Sequence, residues 1–359
     1  MKNKKILYAA STYGHIRSFH LPYVEALREK GAFVKTMARG SESDFDIPFE
    51  KKLFSRKNGE CRKRIREIIE SEGFDAIILN TSLAAYQIRR ALPRRCRARV
   101  INVVHGYLFS RHVGLVKRIS LFMTEWLLRR RTDTVITMNA EDYCVAKRYR
   151  LGRSVINCRG MGASLRPVIT SPESIRREYF PCEAFVMSFV GEYSKRKNQE
   201  FLIRALSEMK PHIPEAVLCL VGEGDERARL EDLICNLGLT ESVILTGRRS
   251  DACDFIRASD LYVSASVIEG MPFNVIEALG ACKTVLVSDV KGHADLIEDG
   301  VSGYLYEWGN MGDFVNKACQ IYRESPLPPE KIAERYLEYE KEKVFPETLS
   351  IIEDAVLGR

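Results

Sequence analysis

Two acidic side chains, Glu269 and Glu277, lie eight positions apart in the segment SASVIEGMPFNVIEALGAC, residues 264–282. A strand-like run precedes this segment, and the apolar pattern after Pro272 predicts a helix. Glu269 then falls in the loop before the helix and Glu277 lies within it. The first N–H groups of such a helix attract phosphate, and carboxylates on either side can accept hydrogen bonds from sugar hydroxyls. The spacing therefore favours a nucleotide-sugar site, and the alternative is an ordinary helix that happens to hold two acids.

A second segment supplies cations at the corresponding place of another strand. In SFVGEYSKRKNQEFLIRAL, residues 188–206, a strand and the turn at Gly191 are followed by Lys195, Arg196 and Lys197 before a helix. Cations in such a loop can neutralise a diphosphate, and the alternative is a solvated basic loop. The neighbouring LVGEGDERARLEDL contains two glycines but no third one, so the dinucleotide-binding fingerprint is not met and a tight turn is predicted.

The elements that must position these residues alternate between strand and helix along the whole chain. Alternation of this kind predicts the α/β class, with two open parallel sheets that are each doubly wound. Three prolines interrupt the rhythm in residues 163–183, where we place the linker. The predicted domains are 1–165 and 166–340, and a C-terminal helix at 341–359 is expected to return to the first domain.

Charge divides along the same boundary. Residues 1–165 hold 33 Lys and Arg against 15 Asp and Glu, whereas residues 166–359 hold 22 against 33. A basic half is suited to nucleic acid, anionic lipid or a phosphate-bearing substrate. No apolar run is long enough to span a membrane. The 10 cysteines include no C-x-x-C pair, so we expect reduced thiols and no zinc site.

Residues 185–310 resemble the donor half of retaining glycosyltransferases of family 4, which have the GT-B architecture of two Rossmann-like domains facing across a cleft. Glu269 and Glu277 match the E-x7-E signature of that family. The flanking segments KRKNQEFLIRAL, LVGEGDER, LTGRRSDACDFIRASDLYVSAS and DGVSGYLY follow in the family's order. In the first half, STYGHIRSFHLPYVEALREKGAFV, VHGYLF and DTVITMNAEDYCVAKRY look most similar to the bacterial capsule and exopolysaccharide branch.

The resemblance implies a role for particular residues. Glu269 and His105 are the implied catalytic residues, with Glu269 orienting the donor sugar rather than attacking it. Glu277 would accept hydrogen bonds from the ribose, and Lys197 would pair with the diphosphate. The implied donor-binding set is Gly14, Gly191, Arg196, Lys197, Arg249, Gly270, Met271, Phe273, Asn274 and Glu277. Many relatives have arginine where this chain has Glu192, and Arg196 is expected to supply the missing charge.

Several polar residues follow the first predicted strand. His15, Arg17 and His20 are expected on the acceptor side, where they could bind a phosphate, and the alternative is that His20 packs under the first helix. The other three histidines, at 112, 212 and 293, are expected at the surface or with satisfied hydrogen bonds.

The segment SESDFDIP spells D-x-D at Asp44 and Asp46, which is the pattern of metal-dependent glycosyltransferases. We interpret it as an ordinary polar loop, because it lies far along the chain from the donor motifs. No cofactor and no metal are expected beyond the nucleotide-sugar co-substrate.

The expected activity is retaining transfer of a sugar, HexNAc or hexose, from a UDP-linked donor to a lipid-linked saccharide in capsule, exopolysaccharide or O-antigen synthesis. The basic, amphipathic segment 110–131 favours a cytoplasmic protein held on the anionic inner face of the plasma membrane. The alternatives are an epimerase or phosphorylase of the same fold. A non-enzymatic nucleic-acid-binding protein is disfavoured, because the sequence contains no recognition module.

Overall fold

The computed structural model describes residues 1–51, 55–324 and 326–359, and the chain folds as two units. The first unit comprises Met1–Met161 together with Val344–Arg359, and the second is Gly162–Lys343. Each unit has the parallel sheet with covering helices that the strand and helix alternation predicts, so the predicted α/β class is confirmed.

The first unit is built on a parallel sheet of seven strands. In chain order they are β1 Lys5–Thr12, β2 Phe33–Arg39, β3 Phe45–Asp46, β4 Ala76–Leu79, β5 Arg99–Val104, β6 Thr134–Thr137 and β7 Ser154–Asn157. Their spatial order is β3-β2-β1-β4-β5-β6-β7. The two-residue edge strand β3 lies in the segment that the sequence predicts as a loop, because two residues are too few to show the alternation of a strand.

Helices connect these strands and cover the sheet. They are α1 Tyr13–His15, a π-helix Ile16–His20, α2 Leu21–Glu29, α3 Lys57–Glu72, α4 Ser82–Ala91, α5 Leu115–Leu128, a 3-10 turn Arg129–Arg131 and α6 Ala140–Arg148. The buried face of α3 presents Ile65 and Ile69, four residues apart, to strand residues such as Ile77 and Leu79. This spacing is the amphipathic period of an α-helix packed on a sheet.

The second unit has a parallel sheet of six strands, each followed by a helix, as the predicted alternation requires. They are β8 Phe185–Val190, β9 Ala216–Val221, β10 Val243–Gly247, β11 Leu261–Ser264, β12 Val285–Ser288 and β13 Tyr304–Tyr306. The helices of this unit are α7 Pro172–Tyr179, α8 Gln199–Met209, α9 Arg227–Asn236, α10 Ala252–Ala258, α11 Phe273–Gly280, α12 His293–Leu296, α13 Met311–Arg323 and α14 Pro329–Tyr339.

In each sheet the order in which successive strands are added reverses at one position. In the second sheet the order β10-β9-β8-β11-β12-β13 makes β8 and β11 neighbours, and in the first sheet β1 and β4 are the corresponding pair. Loops that leave the carboxyl ends of these neighbouring strands diverge to opposite sides of the sheet, which opens a crevice for a ligand. The loop after β11 holds Glu269, and the loop after β8 holds Lys197.

The segment predicted as a linker is a folded part of the second unit. Helix α7 begins after Ser171, whose side chain accepts a hydrogen bond from the N–H of Ser174, and Ile175 is completely buried against the sheet. Prolines did mark an irregular stretch, but Pro172 occupies the first turn of α7, where a missing N–H costs nothing.

The end of the chain is divided between the units. Helix α15, Lys341–Leu357, follows α14 with one residue between them, and residues from Val344 onward belong to the first unit. The hydroxyl of Thr348 donates a 2.8 Å hydrogen bond to the carbonyl of Gly160, and Lys30 forms a 2.6 Å ion pair with Glu353. These contacts fix the last helix on the first unit.

Candidate active site

Glu269 is the centre of a buried group of charges on the second unit. Glu269 is 5% exposed and lies in the loop between β11 and α11. Pro272 immediately precedes α11. Its φ of −79° is compatible with the start of a helix, and its ring prevents the residues before it from joining the helix. Glu269, three residues earlier, therefore lies in the loop close to the first turn of α11.

Two cations hold the carboxylate of Glu269. The Nζ of Lys197 lies 2.6 Å from Oε1, and the NH1 of Arg196 lies 3.2 Å from Oε2. The backbone N–H of Val267 donates to the carbonyl of Arg196 at 2.8 Å, so main chain and side chains both join the two loops. Lys197 and Glu269 are 72 positions apart in the chain and meet because β8 and β11 are adjacent strands.

The charges decide the protonation state of this acid. Burial opposes the ionisation of Glu269, but the charges of Lys197 and Arg196 outweigh it and lower the pKa to about 2. The carboxylate is thus ionised at neutral pH, and Lys197 is only 8% exposed. A buried charge is tolerated when it is paired and hydrogen-bonded, as here.

His293 is a fourth polar group beside Glu269, Lys197 and Arg196, and it was not among the site residues expected from the sequence. It is completely buried, and its Nδ1 lies 2.9 Å from the carbonyl of Ser288. Burial lowers its pKa to about 4, while the nearby charge of Glu269 opposes the shift. Within the described residues its Nε2 makes no hydrogen bond. The expectation of a satisfied histidine therefore holds for one ring nitrogen and fails for the other.

Gly292 explains how this histidine approaches the loop of Glu269. Its φ is +84°, and a Cβ at this position would lie 2.8 Å from the carbonyl oxygen of Gly270 and 2.9 Å from the Cβ of Glu269. Both the backbone conformation and the close approach require glycine. The motif VKGHADLI thus provides a signal, a glycine directly before a histidine after a buried strand, which identifies this part of the site.

Glu277 lies in α11, with its side chain 14% exposed, and has a different environment. Burial raises its pKa, and the guanidinium of Arg166, 3.3 Å away and 64% exposed, opposes this effect only in part. Arg166 stands in the segment that the sequence analysis treats as a linker, so its contact with Glu277 was not predicted. Among the described residues Arg166 is its only ion-pair partner, so the carboxylate has room for further hydrogen-bond donors.

The loops around these acids are packed closely. The side-chain amide of Asn274 donates to the carbonyl of Val190 at 2.8 Å, which ties the start of α11 to the end of β8. A Cβ on Gly222, whose φ is +154°, would lie 1.9 Å from the carbonyl oxygen of Gly191. This contact explains why the glycine pair of LVGEGDER forms a tight turn at the edge of the group. Met271 is buried, and Phe273 is partly buried.

Arg249 is held rigidly by its own neighbours. Its guanidinium makes two 2.8 Å contacts with the carboxylate of Asp251 and lies 5.2 Å from the ring centroid of Phe255. The hydrogen bond from Arg249 lowers the pKa of Asp251 to about 2. The side chain that replaces the usual arginine, Glu192, is exposed, while Arg196 contacts Glu269 directly.

Three histidines converge on the first unit. The ring centroids of His15 and His20 are 5.1 Å apart, those of His15 and His105 are 5.3 Å apart, and those of His20 and His105 are 4.8 Å apart. The Nε2 atom of each ring is buried and makes no hydrogen bond among the described residues. A buried polar atom without a partner lowers the stability of the fold by about 1–3 kcal/mol, so three such atoms in one cluster are unusual and destabilising.

Burial also fixes the charge of these rings. It lowers the pKa of His15 to about 4 and that of His105 to about 3, and it places the pKa of His20 well below its usual value. His20 is completely buried and its Nδ1 lies 2.9 Å from the hydroxyl of Tyr8, which favours the packing alternative over a direct phosphate contact. At neutral pH the cluster is uncharged.

Arg17, assigned to the acceptor side, and Gly14, assigned to the donor-binding set, are both exposed. Arg17 forms a 3.5 Å ion pair with Glu42, and its side chain is 63% exposed. No atom lies within 4 Å of a Cβ built on Gly14 among the described residues, so packing does not require glycine at that position. A close approach by a ligand remains the hypothesis for Gly14.

The D-x-D segment serves local structure. Oδ2 of Asp44 accepts hydrogen bonds from the N–H and the hydroxyl of Thr36, and Oδ1 of Asp46 accepts one from the N–H of Gly40. These bonds hold β3 against β2. The carboxylates thus have partners of their own, as expected for an ordinary turn. All 10 cysteines are free thiols.

Helix α5 of the first unit has four apolar side chains that are exposed in the described structure. Its exposed apolar residues and their exposed fractions are Leu115 60%, Val116 84%, Ile119 52% and Leu127 65%. The segment RRALPRRCRAR, residues 89–99, is rich in arginine. Its Arg89 is fully buried in an ion pair with Glu125 at 2.8 Å, so the segment contributes fewer surface charges than its composition suggests. Among the described helices, none has both the length and the apolar character that a membrane span requires.

Comparison with known proteins follows the same division of the chain. Residues 171–343 match the family model of glycosyl transferases group 1. The chain is 29% identical to EpsD of Bacillus subtilis (strain 168), a glycosyltransferase by name, over 90% of this chain and 89% of EpsD. It is 25% identical over 71% of its length, and 68% of the relative, to the UDP-Gal:alpha-D-GlcNAc-diphosphoundecaprenol alpha-1,3-galactosyltransferase of Escherichia coli.

A solved structure gives the same fold for the whole chain. Sucrose-phosphate synthase from Thermosynechococcus elongatus superimposes with a TM-score of 0.82 and 16% identity, covering 99% of this chain and 100% of that one. At this identity the likeness concerns the fold, which is the predicted GT-B fold of two Rossmann-like domains.

Proposed function

Because residues 171–343 match the glycosyl transferases group 1 model and EpsD is similar over most of the chain, we propose that the protein is a retaining glycosyltransferase of this group. It would transfer a HexNAc or hexose from a UDP-sugar to a lipid-linked saccharide in surface polysaccharide synthesis. The observation that carries this proposal is the buried carboxylate of Glu269, ionised and paired with Lys197 and Arg196 beside the start of α11. A UDP-sugar has a sugar and a diphosphate next to each other, and this group offers an acid and two cations next to each other.

The proposed chemistry is a substitution at the anomeric carbon of the donor. The bond between that carbon and the β-phosphate oxygen breaks, and a bond to the acceptor oxygen forms on the same face of the sugar. The electron pair of the broken bond stays on the β-phosphate, which also takes the proton of the acceptor hydroxyl. The products are the glycosylated acceptor and a nucleoside diphosphate, and no protein nucleophile and no metal take part.

Charge builds up on the leaving diphosphate as the bond breaks. Lys197, Arg196 and the N-terminal end of α11 are positioned before the reaction begins, so they stabilise this charge without reorganising. Interactions that strengthen as the charge grows lower the barrier rather than merely tighten binding. Glu269 holds both cations in place through its two oxygens and accepts hydrogen bonds from donor hydroxyls, which is an orienting role.

Glu277 is proposed to accept hydrogen bonds from the ribose. Among the described residues its only ion-pair partner is the largely exposed Arg166, so its oxygens stay accessible to the ribose hydroxyls. The two acids then contact different parts of the same donor. The name of the Escherichia coli relative specifies a UDP donor and a diphosphoundecaprenol acceptor, which supports a UDP-sugar and a lipid-linked acceptor here.

A lipid-linked acceptor lies in a membrane, and helix α5 is suited to bind a membrane surface. We propose that its exposed apolar residues enter an anionic membrane surface while neighbouring cations such as Lys117 and Arg130 attract the headgroups, each contributing about 1 kcal/mol. The protein should therefore co-sediment with phosphatidylglycerol vesicles and should stay in the supernatant with phosphatidylcholine vesicles. Val116→Asp should release it, whereas Leu337→Asp, an exposed apolar residue of α14, should not. Equal sedimentation of both variants contradicts this location.

The donor is tested by thermal shift with a panel of UDP- and GDP-sugars, in which a donor-specific rise in Tm identifies the base. With that donor, release of nucleoside diphosphate should require a lipid-linked saccharide, and NMR of the product should show the anomeric configuration of the donor. Donor turnover without an acceptor favours an epimerase, and turnover with inorganic phosphate alone favours a phosphorylase. An inverted product contradicts the retaining mechanism.

A further inference from the structure

The histidine cluster of the first unit has the composition of a transition-metal site. His15, His20 and His105 each offer one ring nitrogen, and these three atoms lie within 4.8 Å of one another. Three imidazoles without a carboxylate are a ligand set typical of zinc, copper or nickel, and unlike the oxygen sets that bind magnesium or calcium. The sequence shows no such pattern, because His105 is separated from the other two by most of the first sheet.

The backbone brings two of the three rings together by an uncommon conformation. His15 and His20 are five residues apart, and in an α-helix residues at that spacing point to different sides. Here Ile16–His20 form a π-helix, in which the N–H of Leu21 bonds to the carbonyl of Ile16 five residues earlier. The wider turn places both rings on one side. Such π turns are rare and occur frequently at functional sites.

The outer hydrogen bonds match those of metal-binding histidines. The hydroxyl of Tyr8 lies 2.9 Å from the Nδ1 of His20, and the ring of His15 donates to the backbone carbonyl of Asn80. Since the Nε2 atoms make no hydrogen bond within the part of the chain that the structure describes, both outer contacts use the other ring nitrogen. Partners of this kind orient a histidine for a metal and fix which nitrogen is free.

We propose that His15, His20 and His105 bind one divalent transition metal of the zinc type, and that its binding inhibits the enzyme. Metal–nitrogen distances of about 2.0–2.1 Å place tetrahedral ligands about 3.4 Å apart, so nitrogens that lie up to 4.8 Å apart must approach one another by more than about 1 Å. The two partly exposed rings, His15 and His105, can supply this movement by rotation. The inhibitory part rests on the proposed function, because it removes His105 from the catalytic role that the family resemblance assigns to it.

The binding test uses the full chain, stripped of metal and without any substrate. Because 10 free thiols also bind zinc, Ni²⁺ is titrated by calorimetry and its ligands are read by X-ray absorption, which separates nitrogen from sulfur neighbours. We expect one equivalent bound with nitrogen ligands. His15→Asn and His105→Asn should abolish this equivalent, while His212→Asn, an exposed histidine of the second unit, should retain it.

The outer hydrogen bond provides a finer test that leaves all three ligands in place. Tyr8→Phe removes only the hydroxyl, and it should weaken metal binding about 10- to 100-fold. The matched control is Tyr193→Phe, whose equally buried hydroxyl donates to the carbonyl of Leu220 at 2.6 Å and should leave metal binding unchanged. Circular dichroism of the metal-free variants verifies that each is folded.

The outcomes separate the two parts of the proposal. Sulfur ligands, or a nitrogen-bound equivalent that survives in His15→Asn and His105→Asn, overturn the site. Binding of one equivalent without loss of acceptor-dependent turnover overturns the inhibition and leaves the site standing. Failure of the proposed function would appear as absent turnover in metal-free protein, whereas metal binding is measured without turnover.

Discussion

The two acids of the E-x7-E segment lie in similarly buried places and behave in opposite ways. Glu269 has two cationic partners, and its pKa is lowered to about 2, whereas Glu277 has one exposed partner and its pKa is raised. Burial disfavours the charged form at both positions. The difference teaches that the number and burial of the opposing cations, rather than the depth of the acid, decide whether the pKa of a buried carboxylate falls or rises.

The largest expected effect distinguishes their roles in turnover. Glu269→Gln keeps the shape but loses the charge that holds Lys197 and Arg196, so kcat should fall about 10²- to 10³-fold, as for loss of a preorganised electrostatic contact. Glu277→Gln retains a hydrogen-bonding oxygen for the ribose and should chiefly raise the KM for the donor, by about tenfold. Steady-state kinetics with the identified donor measure both. Equal losses of kcat in the two variants contradict the distinction.

The next effect concerns stability. Lys197→Met removes the more deeply buried cation of Glu269 and should lower the free energy of unfolding by about 3–5 kcal/mol, because a buried charge loses its partner. Lys195→Met changes an exposed residue two positions earlier and should cost less than about 0.5 kcal/mol. Urea unfolding measures both. If adding Glu269→Gln to Lys197→Met restores none of the lost stability, the ion pair is not the cause.

A smaller effect concerns the pH dependence of the free energy of unfolding, to which the two acids should contribute with opposite sign. The pKa of Glu269 falls from 4.5 to about 2 on folding, so its contribution to stability is complete above pH 4.5 and is lost as pH falls towards 2. Glu277 has a raised pKa, so its contribution is present below pH 4.5 and is lost as pH rises through the folded-state pKa. Unfolding of wild type, Glu269→Gln and Glu277→Gln between pH 3 and 7 should show these opposite trends, and parallel trends contradict them.

The smallest effect is expected for the partner of Glu277. Arg166 is largely exposed, so Arg166→Ala should change the free energy of unfolding by less than about 1 kcal/mol. It should nevertheless raise the pKa of Glu277 further, because the guanidinium is the main group that opposes the effect of burial. NMR titration of the Glu277 side chain in both proteins tests this shift. An unchanged pKa shows that the ion pair is absent in solution.

The alternation of strands and helices was predictable because it depends on local periodicity, which each segment carries in its own residues. All six strands of the second sheet, the loop position of Glu269 and the helical position of Glu277 follow from that pattern. The two-residue strand β3 and helix α7 did not, since one is too short to show a period and the other begins at a proline in an irregular segment.

The sequence by itself determined which residue types were available for a phosphate and sugar site and which local elements hold them. Only the tertiary structure decided which of these residues meet. Lys197 contacts Glu269 because β8 lies beside β11, Glu277 meets Arg166 through the folding of a supposed linker, and three histidines converge at the first sheet. Periodicity acts over a few residues, whereas contacts across 72 or more positions depend on the order of strands in a sheet, which no local pattern specifies.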